Sequence, residues 1–244
     1  MRRVFIFLAF LFSLSLVEAQ DRGFVLLDSV FMKIDTTNYR FVLYSPESGC
    51  RFAFVRERPD SLDENIGFSV VAAFTSRAPE HIVGTNVCNG ILSNDSTEKE
   101  TGYCLITNKR IEIKPLSIGR EEAINKAVNY GWDYFQQKLL IYEGKPIATS
   151  VFRNRTTARR ALVLKANKPM VVETDDRIHI DTFTNCLIDM GVDYAIYLDM
   201  GSWSEGWYKT IQGQVKRIGT NWRSSHLQTN WILIKKKQTK AKKK

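Results

Sequence analysis

Apolar and polar positions alternate along much of the first half of the chain. Over residues 28–54 the runs VFMKIDTTNYRFVLY and RFAFV read as strands, with turns at Asn38 and over 45–48. A short apolar run follows at 70–74, then a loop at Pro79 and the segment IVGTNVCNG. Residues 104–106 and 110–113 read as two strands joined at Thr107-Asn108-Lys109. The spacing then changes to four and three at Ala123, Ala127 and Tyr130, which predicts a helix over 120–130. Ser117 or Gly119 starts it, Glu121 and Glu122 complement its positive end, and Gly131 ends it. FQQKLLIYEGKPI reads as a strand, a turn at Glu143-Gly144 and a second short strand. A hairpin over 161–164 and 170–173 turns at Asn167-Lys168-Pro169. Phe183, Leu187, Ile188 and Met190 mark a second helix, capped by Asp181 or Thr182 and closed by Gly191. The strand 194–198 comes next and delivers Asp199 at its end.

Helices alternate with strands only in this last part. The pattern therefore predicts an α+β fold: a mixed, mainly antiparallel twisted β-sheet with a few packed helices, in one domain. There is no internal repeat to read and no Pro/Gly/Ser linker.

The first residues do not belong to that fold. Met1-Arg2-Arg3, an apolar run over 4–17 and the small residues before Gln20 form a secretory signal peptide over 1–19, cut after Ala19. The expected location is periplasmic or secreted, with the domain over 20–234. The net charge is +9, and much of it sits in a lysine-rich tail over 235–244, which should be solvated and disordered. Such a tail offers contact with an anionic envelope, whereas no nucleic-acid-binding motif is present and no nucleic-acid partner is expected. Cys50, Cys88, Cys104 and Cys186 fit no zinc spacing. Cys88 and Cys104 flank a polar loop and could close it as a disulfide; the other reading is four small buried hydrophobes.

Chemistry has few anchors. No metal, P-loop or nucleophile motif is present, so no cofactor or metal is expected. Asp199 stands out because an acid at the carboxyl end of an interior strand opens where ligands commonly bind, and Gly201 and Ser202 let a ligand approach the backbone. A loop Asp capping its own backbone is the bland alternative. Arg155, Arg159 and Arg160 precede a strand and either clamp a phosphate or form a solvated face. Asn89-Gly90 is a turn signal as well as a polar site; Asn86 and Gln137 are further polar candidates. Trp203 and the later tryptophans suit stacking on sugar rings or core packing.

Asn89-Gly90, Phe135-Gln136-Gln137-Lys138-Leu139-Leu140, Arg159-Arg160-Ala161-Leu162, the helix ending at Gly191, and Ala195 through Asp199 to Ser202 together resemble the phosphodiester glycosidase family over about 70–231. Two departures stand out. That family commonly has Asn-Gly-Gly-Phe where this chain has Asn89-Gly90-Ile91-Leu92, and Leu-Asp-Gly-Gly-Gly-Ser where it has Leu198-Asp199-Met200-Gly201-Ser202. The resemblance implies an exported glycosidase hydrolysing a sugar-1-phosphodiester or related glycan linkage. Arg159 or Arg160 would face the phosphate. Asp199 would serve as nucleophile, base or stabiliser. Asn86, Asn89, Gly90, Gln137, Gly201, Ser202 and Trp203 would bind substrate. The candidates for a second carboxyl group are Glu205, Asp133 and Asp193. A non-catalytic carbohydrate- or envelope-binding protein on the same fold is the alternative.

Overall fold

A computed structural model describes residues 23–77, 80–93, 100–148, 155–200, 204–219 and 222–237. The expected signal peptide over 1–19, the site candidates Gly201, Ser202 and Trp203, and residues 238–244 of the expected tail lie outside the described residues.

In chain order come β1 (Val25–Ile34), β2 (Thr37–Pro46), β3 (Cys50–Val55), β4 (Ile66–Val71), β5 (Thr75–Arg77), β6 (Glu80–Ile82), β7 (Asn86–Cys88) and β8 (Ile91–Ser93). The hairpin β9 (Gly102–Ile106) and β10 (Ile111–Pro115) leads into α1 (Arg120–Tyr130) and β11 (Asp133–Gln137). After β12 (Leu139–Tyr142) and β13 (Lys145–Pro146), a second hairpin, β14 (Thr157–Lys165) and β15 (Lys168–Ile178), leads into α2 (Ile180–Asp189) and β16 (Tyr194–Leu198). The chain closes with β17 (Gly206–Lys209), β18 (Val215–Ile218), a 3-10 turn (Trp222–Leu227) and β19 (Trp231–Lys236).

Three main sheets result, ordered β1-β2-β15-β14-β16-β12-β13, β10-β9-β11-β7-β8 and β18-β17-β4-β19-β3, beside the small pair β5-β6. Among the described residues every strand pair is antiparallel. The expected α+β fold with one mixed sheet is thereby overturned: the molecule is mostly antiparallel β in several sheets, with two α-helices among the described residues. The physical reason lies in the helix crossovers. α2 does join two strands that run the same way, β15 and β16, but β14 lies between them and pairs with both. α1 does the same for β10 and β11, with β9 between.

The chain thus uses one hairpin–helix–strand unit twice, a repeat of topology that carries little sequence signal. Its clearest trace is the helix end. Trp132 N–H donates to Ala127 O and Val192 N–H to Leu187 O, each reaching back over a left-handed glycine, Gly131 (φ 66°) and Gly191 (φ 80°). Both then run into Asp-Tyr, at Asp133-Tyr134 and Asp193-Tyr194.

The main core fills the space between the sheets, with Phe54, Phe68, Phe135, Leu162, Ile196 and Ile234 among its members. The opposite face of the seven-stranded sheet is sealed by α2 through Phe183 and Leu187 against Ala161, Val163 and Tyr197. β14 and β16 are therefore buried on both faces, which is why they read as continuous apolar runs rather than alternating ones. α1 seals the second sheet with Ala123 and Ala127 against Leu105 and Tyr134.

Local departures have simple causes. α2 begins at Ile180, after His179, so Asp181 lies in the first turn instead of capping it. Asp35 and Thr36 turn the first hairpin, just ahead of Asn38. Lys235 and Lys236, expected in the tail, belong to β19 and pair with Arg51 and Cys50. All four cysteines are free. Cys88 and Cys104 sit on β7 and β9, on opposite sides of β11, a separation of two strand spacings, roughly 9–10 Å, that no disulfide spans.

Candidate functional site

Arg159 and Arg160 are neighbours on β14, so their side chains leave opposite faces of the sheet. Arg159 points toward the α2 side. Its guanidinium donates to the carbonyls of Arg155 (2.7 Å) and Ile178 (3.4 Å) and lies over the Tyr197 ring at 6.0 Å. Those partners give it a structural task. Arg160 points the other way and is fully buried. Its Nε donates to Glu173 Oε2 at 2.6 Å, directly across the β14–β15 pair, and Tyr44 Oη donates to the other carboxylate oxygen at 3.2 Å. Nη1 of Arg160 finds no acceptor among the described residues. A buried guanidinium nitrogen without an acceptor costs about 1–3 kcal/mol, which a bound anion would recover. Gly219 packs directly over this group: a Cβ there would stand 2.9 Å from Ser204 Oγ and 3.4 Å from Arg160 Nη2.

Leu198 pairs with Arg160, and Asp199 is the next residue, just past the end of β16. Its N–H donates to Ala72 O at 2.8 Å, which pins it at the sheet edge. Burial pushes its carboxyl up to about 7, while the Gln228 amide and the Arg160 charge pull it down and the Glu100 charge pushes it further up. An acid so placed is half protonated near neutral pH, the condition for moving a proton in either direction.

β11 brings a second strand end to the same place. Gln136 turns toward α1, where its Nε2 donates to Tyr134 Oη and its Oε1 accepts from Thr85 N–H. Gln137 turns the other way and is fully buried; its Oε1 accepts from Lys138 N–H at 2.9 Å, and its Nε2 has no partner among the described residues. Lys138 follows, buried, with Nζ 3.6 Å from Glu100 Oε2. The backbone holds this corner firmly: Lys138 O accepts from Tyr197 N–H at 2.8 Å, and Leu139 N–H donates to Thr101 Oγ1 at 2.9 Å.

The other expected site residues lie elsewhere. Asn89 and Gly90 turn the chain at the opposite end of β11, where Asn89 N–H donates to Asp133 Oδ1 and Gly90 N–H to Trp132 O. Asn89 takes φ 49°, so its turn role is satisfied without a ligand. Asn86 is buried and accepts from Arg56 Nε at 2.8 Å. Of the three acids weighed as a second carboxyl group, each is already committed. Asp133 accepts from the Phe54 and Asn89 N–H groups, Asp193 from Ala166 N–H, and Glu205 from Trp231 Nε1 and Arg58. Trp207 and Trp231 are buried in a small core under β17 and β19.

Glu100, Lys138 and Gln228 were not singled out from the sequence. Glu100 ends a polar stretch that reads as a plain loop. Lys138 carried the right signal, a cation at a strand end, mirrored by Asp199 at the end of β16. A groove of about 510 Å³ between β10 and α1 shares no residue with this site.

No family model matches the chain, and no curated protein does. Solved structures do. A hypothetical protein from Synechocystis superposes with a TM-score of 0.58 at 11% identity, over 87% of this chain and 62% of that one. The catalytic domain of zebrafish N-acetylglucosamine-1-phosphodiester alpha-N-acetylglucosaminidase, auto-inhibited by its pro-peptide, superposes with a TM-score of 0.60 at 12% identity, over 88% of this chain and 83% of that one. The chain therefore shares its fold with a glycosidase catalytic domain and spans less than two thirds of the Synechocystis protein.

Proposed function

We propose that this chain is a hydrolase of the phosphodiester glycosidase type, cleaving the bond between a sugar and the phosphate of a glycosyl-1-phosphodiester. The observation that carries the reading is Asp199: a carboxyl group poised near neutrality at the end of β16, one residue past the pair to Arg160, whose buried Nη1 has no acceptor among the described residues. The fold shared with the zebrafish enzyme, and the motif order around Asp199, support the same class. Arg160 holds a non-bridging phosphate oxygen, with Glu173 fixing the guanidinium from behind. Asp199 gives its proton to the departing phosphate oxygen. Gln137 offers a buried amide nitrogen to sugar hydroxyls or phosphate oxygens, while the Gln228 amide holds Asp199. The leader over 1–19 sends the protein to the periplasm or outside the cell, and the lysine-rich end keeps it near anionic envelope polymers.

The test is turnover of a panel of chromogenic sugar-1-phosphodiesters by residues 20–244 and by its Asp199→Asn variant. Cleavage by the first and not the second is expected. A folded protein that turns over none of them sinks the reading.

A second reading, a non-catalytic carbohydrate binder, is favoured by one observation. Met200, where related glycosidases commonly carry glycine, is fully buried beside Asp199, and its carbonyl accepts from Tyr197 Oη at 3.2 Å. Saturable glycan binding with no turnover distinguishes it.

A further inference from the structure

Two strand ends meet at the site, and each carries a charged pair. At the end of β16 stand Asp199 and Arg160, the latter tied to Glu173. At the end of β11 stand Lys138 and Glu100, with side chains 6% and 2% exposed. The Glu100 pair is not a tight one. At 3.6 Å it is an ion pair without a hydrogen bond, and Glu100 Oε2 has no hydrogen-bond donor among the described residues. A surface pair at this distance would mean little. A buried one, in the same corner as the Gln137 amide nitrogen and the Arg160 Nη1 that also lack partners among the described residues, gives a polar ligand groups to complete.

We propose that Glu100 is the second carboxyl group of the site, held by Lys138 and coupled to Asp199 so that the two acids share one proton. The inference rests on the hydrolase reading for its catalytic half and, for the coupling, on the buried Glu100–Lys138 pair at the strand end that is bonded to the Asp199 strand through Tyr197 N–H and Lys138 O, together with the push of the Glu100 charge on Asp199.

Charge counting supports it. The groups that face one another are Asp199, Glu100 and Glu173 against Arg160 and Lys138, with Tyr44 on Glu173 and Tyr197 behind Asp199. Three carboxylates face two cations. A buried cluster of that make-up reaches neutrality by keeping one proton. Glu173 is bound by Arg160 and by the Tyr44 hydroxyl, and Asp199 and Glu100 are the two acids that burial pushes up. Burial pushes Glu100 up while Lys138 pulls it down, and its charge in turn raises Asp199. Asp199 is then the member that carries the proton, and Glu100, beside its lysine, the member that is ionised.

The catalytic step follows. The oxygen of a water molecule bonds to the anomeric carbon while Glu100 takes one of its protons. The carbon–oxygen bond to the phosphate breaks, and its electron pair goes to the phosphate oxygen. Asp199 supplies the proton to that oxygen. The products are the free sugar and a phosphate monoester, and the proton returns from Glu100 to Asp199 through solvent.

The experiment has two arms on the same mature protein. In the first, the side-chain carboxyl carbons of Asp and Glu are labelled with carbon-13 and titrated by NMR in the wild type, Glu100→Gln and Lys138→Met. Glu100→Gln should lower the Asp199 midpoint, and Lys138→Met should raise that of Glu100. An Asp199 midpoint that stays put in Glu100→Gln overturns the coupling, whether or not the protein is an enzyme. In the second arm, pH–rate profiles are taken on the glycosyl-1-phosphodiester that the wild type cleaves. Glu100→Gln should lose about 10²–10⁴-fold in kcat with KM little changed, and its acidic limb should vanish. Lys138→Met should move that limb to higher pH, with Lys138→Arg restoring it. Wild-type kcat and profile in Glu100→Gln overturn the catalytic role. Coupled midpoints in a protein without turnover uphold the pair and sink the hydrolase reading instead. If Glu100→Gln does not fold, an unmoved Glu100 midpoint in Lys138→Met overturns the proposal.

Discussion

Replacing Asp199 by Asn should change the stability of the protein in a way that depends on pH. Folding moves this carboxyl from an ordinary 3.8 to about 7. The folded state therefore holds the proton more tightly than the unfolded chain does. The sign follows: its stabilising contribution is present in full below about pH 4, falls as pH rises toward 7, and is gone above that. A shift of about three pKa units corresponds to roughly 4 kcal/mol over that window. Asparagine has nothing to ionise, so the variant keeps what the wild type loses. How well the amide fits the site adds a constant that cancels between two pH values. Urea unfolding of both proteins at pH 4, 5.5, 7 and 8 measures the effect. Between pH 4 and 8 the variant should gain about 3–4 kcal/mol on the wild type with unchanged urea slopes. Two stability curves that stay parallel within about 0.5 kcal/mol would refute a desolvated, poised Asp199.

Three other substitutions probe the framework. Glu173→Gln strips the buried Arg160 of its counter-ion and should cost about 3–5 kcal/mol in chemical denaturation, whereas Arg160→Met with Glu173→Leu should regain most of that stability while abolishing phosphodiester binding. Asp133→Asn leaves one of two buried N–H groups, Phe54 or Asn89, facing an amide NH2; the loss should be about 1–3 kcal/mol in the same assay, with KM unchanged because this corner lies at the far end of β11. Gly219→Ala must adopt φ 89° and crowd Ser204. It should lower stability by roughly 1–2 kcal/mol and raise KM, read from steady-state kinetics.

The elements themselves were largely legible. The helix over 120–130, the strand over 194–198 and the hairpin around Asn167 follow from periodicity and turn chemistry because those signals are local. The partners of each strand were not. Nothing in YAIYL says that β14 rather than β15 lies beside it, and that one choice separates an antiparallel sheet from a mixed one. Asp199 was found because a strand end, an acid and a glycine coincide in sequence. The division of labour between Arg159 and Arg160 was available from the two-residue period of a strand, although which face held the site was not. Glu100 was hidden for a different reason: it stands far from Asp199 in sequence, at the edge of a polar loop, and only the pairing of β9 with β11 and the bond from Tyr197 N–H to Lys138 O bring its lysine to the Asp199 strand. Asn89 shows the converse, a residue whose local signal was a turn and whose place in the fold is that turn.

The order of strands also bears on when the molecule can fold. Each hairpin–helix–strand unit is local and can form as soon as its own residues are available. The third sheet is different. β4, from the first third of the chain, lies between β17 and β19, and β3 pairs only with β19 within that sheet. Until Trp231–Lys236 arrives, Phe52 and Phe54 have no partner strand within that sheet, Phe68 and Val70 have one on the β17 side alone, and Ala73 lacks the Asn230 amide that bonds both its N–H and its carbonyl. A chain emerging residue by residue, from a ribosome or through a membrane pore, holds its sticky early strands open to the end. The last strand is the latch. A truncation that removes it should leave a protein that clings to chaperones, with both local units built and the sheet between its two ends unmade.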